Sequence, residues 1–149
     1  MKTFVIILSK KFPRTHIHSG RETYFANSLG NGMKIHTVRA NLPLWKKRII
    51  EIQSGNAVLS IREWSGKPYG SPQKELARLS ASDGVGVQPL KLENLLNSTV
   101  IDGEKVELTD LAAHDGLSLS DWYDWFRKVD LTQPMAIIHF TNYRYGGKQ

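Results

Sequence analysis

Residues 32–41 read GMKIHTVRAN, and the next run, LPLWKKRIIEIQSG (residues 42–55), changes character at once. The first stretch follows a turn signal, Gly30-Asn31-Gly32, and its β-branched content reads as a strand. The second places Trp45, Ile49 and Ile52 on one helical stripe, turns Lys46 and Lys47 away from it, and meets Gly55 where helices commonly stop. A strand that hands over to a helix over Leu44–Gln53 therefore anchors the first half of the chain. Before it, Thr3–Leu8 is apolar almost without interruption and reads as a strand buried on both faces. Lys10–Gly20 reads as a loop.

After the helix, Ala57–Trp64 reads as a strand that Gly66-Lys67-Pro68-Tyr69-Gly70 breaks, while Lys74–Leu79 is ambiguous between strand and helix. Leu90–Leu96 reads as a short helix entered through Pro89. Asp102-Gly103, between Val100-Ile101 and Lys105-Val106, is a two-residue hairpin signal. Ser118 reads as the cap of the clearest helix, with Asp121 at the third position of a capping box, Leu117 and Trp122 as its staple, and Trp122, Phe126 and Val129 along its stripe, which Trp125 widens. Met135–Phe140 is a last strand before a polar, aromatic tail. No repeat, low-complexity segment or linker divides the chain, so residues 1–149 read as one domain. Strands and helices alternate without a βαβ rhythm, which points to α+β and suits a compact, partly closed barrel.

Charge narrows the partners. The formal net charge is +6, yet through Leu79 there are 14 Lys/Arg against 4 Asp/Glu, and from Ser80 onward 6 against 10. So basic a first half points to an anionic partner, nucleic acid or nucleotide, by counterion release. With 0 cysteines there is neither a disulfide framework nor a thiolate nucleophile. The apolar run Phe4–Leu8 is too short to span a membrane, so a soluble, cytoplasmic protein is expected.

Within GMKIHTVRAN, alternation puts Thr37 and Arg39 on one face of a strand and Lys34, three positions before Thr37, on the other. Lysine and hydroxyl meet only if the backbone leaves strand geometry near Lys34, which Gly32 makes easy. If they meet, Lys34 can take the proton that makes Thr37 a nucleophile, provided burial lowers its pKa. If not, Lys34 is solvated, Thr37 is an ordinary strand residue and Arg39 binds a surface carboxylate. Asp115, before Gly116, reads as a carboxylate exposed on a fixed corner near a helix start. The five histidines form no metal pattern and read as loop residues near a basic surface, so no metal is expected. Trp45, Trp64 and Tyr69 offer faces on which a base could stack, with the core as the other place for the tryptophans.

Gly32-Met33-Lys34-Ile35-His36-Thr37-Val38-Arg39 matches GxKxxTxR at all four named positions, and in this it resembles ASCH domains, which share the small β-barrel of PUA domains. Asp115 ahead of Leu117-Ser118-Leu119-Ser120-Asp121-Trp122 resembles the family's acidic position, where some enzymatic members have glutamate. The resemblance spans roughly Phe4 to Phe140. It implies a PUA-like barrel and a link with RNA or modified nucleosides. Small bacterial members include amidohydrolases that remove the acyl group of N4-acetylcytidine without a cofactor. Carried over, Lys34 is the base, Thr37 the nucleophile and Asp115 the orienting carboxylate or proton carrier. Arg39 binds or positions substrate; outside the resemblance, the basic Lys46 and Lys47 and the aromatic Tyr69 read as further substrate contacts. The alternative is a non-catalytic RNA-binding module. This chain departs from the small enzymes by the helix straight after the motif, by an insertion near Gly84–Val106, and by an aspartate one methylene shorter than glutamate.

Overall fold

The computed structural model describes residues 1–91, 98–127, 129 and 133–146. In chain order it contains β1 (Lys2–Ile7), α1 (Phe25–Gly30), β2 (His36–Arg39), α2 (Leu42–Gln53), β3 (Ala57–Trp64), β4 (Gln73–Leu79), β5 (Gly86–Leu90), β6 (Ser98–Ile101), β7 (Glu104–Glu107), α3 (Leu108–His114), α4 (Leu119–Phe126) and β8 (Met135–His139). The architecture is mixed α+β. Among the described residues the strands pair as three open sheets, ordered β1-β3-β4, β2-β8-β5 and β6-β7. In the first, β1 runs parallel to β3 and β3 antiparallel to β4; the second is antiparallel throughout. No helix among the described residues is long and apolar enough to cross a membrane.

Local chemistry explains most of the elements. Asn41 adopts a left-handed backbone (φ 69°) and its side chain accepts the Leu44 N–H, so α2 starts at Leu42, two residues before the start that spacing alone predicts. Its stripe of Trp45, Ile49 and Ile52 is buried. The hairpin between β6 and β7 turns at Asp102 (φ 47°) and Gly103 (φ 84°), both left-handed, as a tight two-residue turn requires. Ser118 caps α4 by accepting the Asp121 N–H. The capping box is only half made, because the Asp121 carboxylate bonds the His18 ring instead. The ambiguous Lys74–Leu79 stretch lies within β4, where it follows β3 across a bulge between Ile61 and Arg62.

Two expectations fail. The apolar run of β1 is not buried on both faces: Thr3 is exposed, and Phe4, Val5 and Ile7 are only half-buried. It pairs with β3 on one side only, and α2 meets it through charged side chains, Glu51 paired with Lys2 and the Arg48 guanidinium over the Phe4 ring. Pro89 and Leu90 end β5 rather than opening a helix. Proline's missing N–H is tolerated there because β5 is an edge strand. Residues 92–96 of that expected helix, Leu90–Leu96, lie outside the described residues.

β8 organises the interior. All five of its residues are buried. Alternation sends Ala136 and Ile138 into a cluster with Ile6, Trp45, Ile49, Ile52, Leu59 and Ile61, and Met135 and Ile137 into another with Leu111, Trp122 and Phe126. The site described next lies where β2 meets the turn between α3 and α4.

Candidate functional site

Lys34 lies before β2, not in it. Gly32 turns the chain through a left-handed backbone (φ 81°), the N–H groups of Met33 and Lys34 both donate to the Ser28 carbonyl, and the Ile35 N–H donates to the His114 carbonyl. This is the departure from strand geometry that the spacing requires. Lys34 and Thr37 now line the same pocket, together with Arg39, Asp115, Phe25, Trp125 and Leu8. The void is about 40 Å³. That is room for a few waters or a small acyl group, and far below the roughly 300 Å³ of a pocket that encloses a whole small molecule.

Lys34 is only 3 % exposed. Its ammonium donates to the Asp115 carbonyl oxygen at 2.7 Å, stands 3.9 Å from Asp115 Oδ1, and lies over the Phe25 ring, 4.4 Å from its centre. Burial draws its pKa down to about 8; Asp115 opposes that shift and Arg39 adds to it. Thr37 Oγ1 accepts from Arg39 Nη1 at 3.0 Å, and Arg39 is fixed in turn by the carbonyls of Val38 and Ile7. No hydrogen bond joins Lys34 to Thr37.

Asp115 is not exposed on a corner: it is 3 % exposed and ends α3 rather than starting a helix. A carboxylate at a helix C-terminus gains nothing from the helix dipole, so its stabilisation must come from neighbours. The His36 Nδ1–H donates to Oδ1 at 2.7 Å and the Trp122 Nε1–H to Oδ2 at 2.8 Å. Burial alone would raise this carboxyl, but His36, Lys34 and the Trp122 N–H together hold it below its ordinary range. Gly116 (φ 82°) makes the reversal that aims Asp115 inward, with the Lys34 stem packed against it.

The remaining expected contacts lie elsewhere. Lys46 and Lys47 are exposed on α2, Tyr69 is 90 % exposed and stacks near Trp64, and none of the three lines the pocket. Trp45 is core.

The histidines depart furthest from expectation. His16, His36 and His139 are buried. His36 connects Asp115 to Tyr145, whose hydroxyl lies 2.6 Å from His36 Nε2 and 2.9 Å from His114 Nδ1. His139 bonds Gln88 Oε1 through Nε2, and its Nδ1 is buried without a partner. Burial is the main reason its pKa falls to about 2, with His36 next. A histidine inside the motif and a tyrosine in the aromatic tail were the available signals; nothing local showed that they meet.

His16 and His18 belong to a separate cluster with Asp121, ligand-type atoms lying within 4.8 Å of one another. Both His16 ring nitrogens have partners, Nε2 on the Asp121 carbonyl and Nδ1 on the His18 N–H. Ile17 N–H to Asp124 and Arg127 to the Thr15 carbonyl complete a latch that fastens the long loop to α4.

No protein-family model, no curated protein and no solved structure matches the chain.

Proposed function

We propose that the protein is a cytoplasmic, cofactor-free hydrolase that cleaves the amide of a modified nucleoside of the N4-acylcytidine type, on a PUA-like barrel of the ASCH kind. The observation that carries the proposal is a desolvated lysine, Lys34, sharing a small pocket with the Thr37 hydroxyl and Asp115. With a pKa of about 8, about one Lys34 in ten is neutral at pH 7 and able to act as a base. Neutral Lys34 takes the Thr37 proton, directly or through one water, and Oγ1 attacks the acyl carbonyl. Arg39, already donating to Oγ1, stabilises the negative charge as it develops. The Lys34 ammonium returns the proton to the leaving amine, which departs as cytidine. Water then hydrolyses the threonyl ester with Lys34 again as base, and the carboxylic acid leaves. Asp115 positions the Lys34 Nζ through its carbonyl oxygen. A pocket of about 40 Å³ takes the acyl end alone, so base and sugar rest outside it.

That small volume also favours the second reading, an RNA-binding module in which exposed Lys46 and Lys47 contact phosphates and nothing is cleaved. One experiment separates the two. Purified protein is incubated with N4-acetylcytidine and assayed chromatographically for cytidine, alongside Thr37→Ala and Lys34→Ala. The hydrolase reading expects release by the wild type and at least a 10³-fold loss in Thr37→Ala with nucleoside binding retained. No release, together with salt-sensitive RNA binding that Lys46→Glu/Lys47→Glu weakens, overturns it for the module.

A further inference from the structure

Asp115 faces the pocket on one side and a chain of aromatic hydrogen bonds on the other. Along β2, Thr37 and Arg39 share a face and line the pocket, whereas His36, at the alternate position, does not line it, so His36 approaches the carboxylate from behind the pocket. From Asp115 Oδ1 the chain runs to His36 Nδ1 (2.7 Å), from His36 Nε2 to the Tyr145 hydroxyl (2.6 Å), and from that hydroxyl to His114 Nδ1 (2.9 Å). His114 Nε2 has no hydrogen-bond partner among the described residues, and His114 is only half-buried, which makes it the solvent end of the chain.

We propose that His114, Tyr145 and His36 form a proton relay that connects the buried Asp115 carboxylate, and through it the pocket, with solvent. The relay goes beyond the hydrolase reading and does not depend on it.

The donors and acceptors permit two complete arrangements. With His36 neutral, Nδ1–H donates to Asp115, Nε2 accepts the tyrosine proton, and the phenolic oxygen accepts from His114 Nδ1–H. When a solvent proton binds His114 Nε2, the Nδ1 proton passes to the tyrosine oxygen, whose own proton passes to His36 Nε2. His36 becomes an imidazolium beside Asp115, Tyr145 ends neutral and now donates to His114 Nδ1, and His114 is neutral with its proton on Nε2. One proton has entered, one charge has moved inward, and every polar atom of the chain keeps a partner.

The surroundings suit such traffic. Tyr145 is 3 % exposed, and burial raises its phenol above the ordinary value, so it passes protons without resting as a phenolate. Its position is fixed by Gln88, which accepts the Tyr145 N–H and donates to the Tyr145 carbonyl. The other titratable groups around the chain are His139 on β8, Lys34 ahead of β2, Arg39 on β2, Asp110 on α3, and Tyr143 and Arg144 in the closing segment. His139 is held neutral and bonded to Gln88, so it offers no competing branch.

The test is nitrogen-15 histidine NMR on the whole chain, with exchange of the His36 ring N–H read by saturation transfer from water. The wild type is expected to show His36 carrying its proton on Nδ1 when neutral, with fast exchange. Tyr145→Phe and, separately, His114→Gln are expected to slow that exchange at least tenfold while the backbone spectrum stays native. His114→Gln stands at the solvent end and serves alone if Tyr145→Phe does not fold. Unchanged exchange in the folded variants, or a neutral His36 protonated on Nε2, overturns the relay. Neither readout requires turnover, so failure of the hydrolase assay leaves this result interpretable.

Discussion

The two three-stranded sheets handle polar groups in opposite ways. In β1-β3-β4 the outer strand β4 stands largely in water, and the buried Ser60 of β3 finds its partner, Glu75, on the neighbouring strand. In β2-β8-β5 both faces of β8 are covered, and His36, Thr37, Gln88 and His139 are all buried. His139 Nε2 finds Gln88 on the neighbouring strand, but His36 has to reach Asp115 and Tyr145, neither of which belongs to a strand. A sheet packed on both faces cannot send polar side chains to solvent, so it recruits turns and loops to meet them. That is why the candidate site gathers there and not on the first sheet.

The contrast breaks most severely at Asp115. Asp115→Leu leaves the Lys34 ammonium, the His36 Nδ1–H and the Trp122 N–H without their carboxylate, and should cost about 3–5 kcal/mol in urea unfolding. Next comes packing: Ile137→Ala in β8, 0 % exposed, should cost about 2–5 kcal/mol, against about 1 kcal/mol or less for Val5→Ala in half-buried β1. The same unfolding curves will show whether the two sheets differ as much as their burial does.

Acid should separate the sheets further. His139 has a native pKa near 2 against an unfolded value near 6.5, so below 6.5 the unfolded chain binds the proton that the native one refuses. Stability is therefore full above pH 6.5 and falls as pH drops from there toward 2, by about 1.4 kcal/mol per unit, or about 2 kcal/mol by pH 5. Asp115, its carboxyl held low, adds a loss in the same direction that begins only below its unfolded value near 4. A folded His139→Gln variant should lose the first part of that slope in urea titrations at pH 8, 6 and 5. The smallest effect is expected on α2: Lys46→Glu/Lys47→Glu should leave stability within about 0.5 kcal/mol of the wild type. Under the proposed hydrolase reading it should also leave cytidine release unchanged within twofold, since neither side chain lines the pocket.

What the sequence disclosed follows from range. The α2 stripe, β3, the Asp102-Gly103 hairpin and the Ser118 cap are settled by residues within a turn or two of each other, and each stands where the local pattern puts it. The glycines before Lys34 also made its departure from the strand readable. The burial of Asp115 was not readable, because the groups that stabilise it arrive from β2, from the turn before β2 and from α4. Histidines taken singly looked like loop residues. Only the register of β2 against β8, which sets His36 opposite His139, places two of them inside. Tyr145 sat in a tail whose composition gives no hint that it folds back onto His36 and His114.

The bonds that assemble the pocket's rear wall join residues 79, 81 and 109 positions apart. Closing loops of that length is slow and unrewarded until both ends have arrived. Local pieces such as α2 and the β6-β7 hairpin need no such wait. The pocket is therefore a late product of folding, absent from any intermediate that holds only those pieces. In a refolding time course, helical signal should appear first and burial of Asp115 against Trp122 last, which makes the fluorescence of the buried Trp122 indole a clock for the final step.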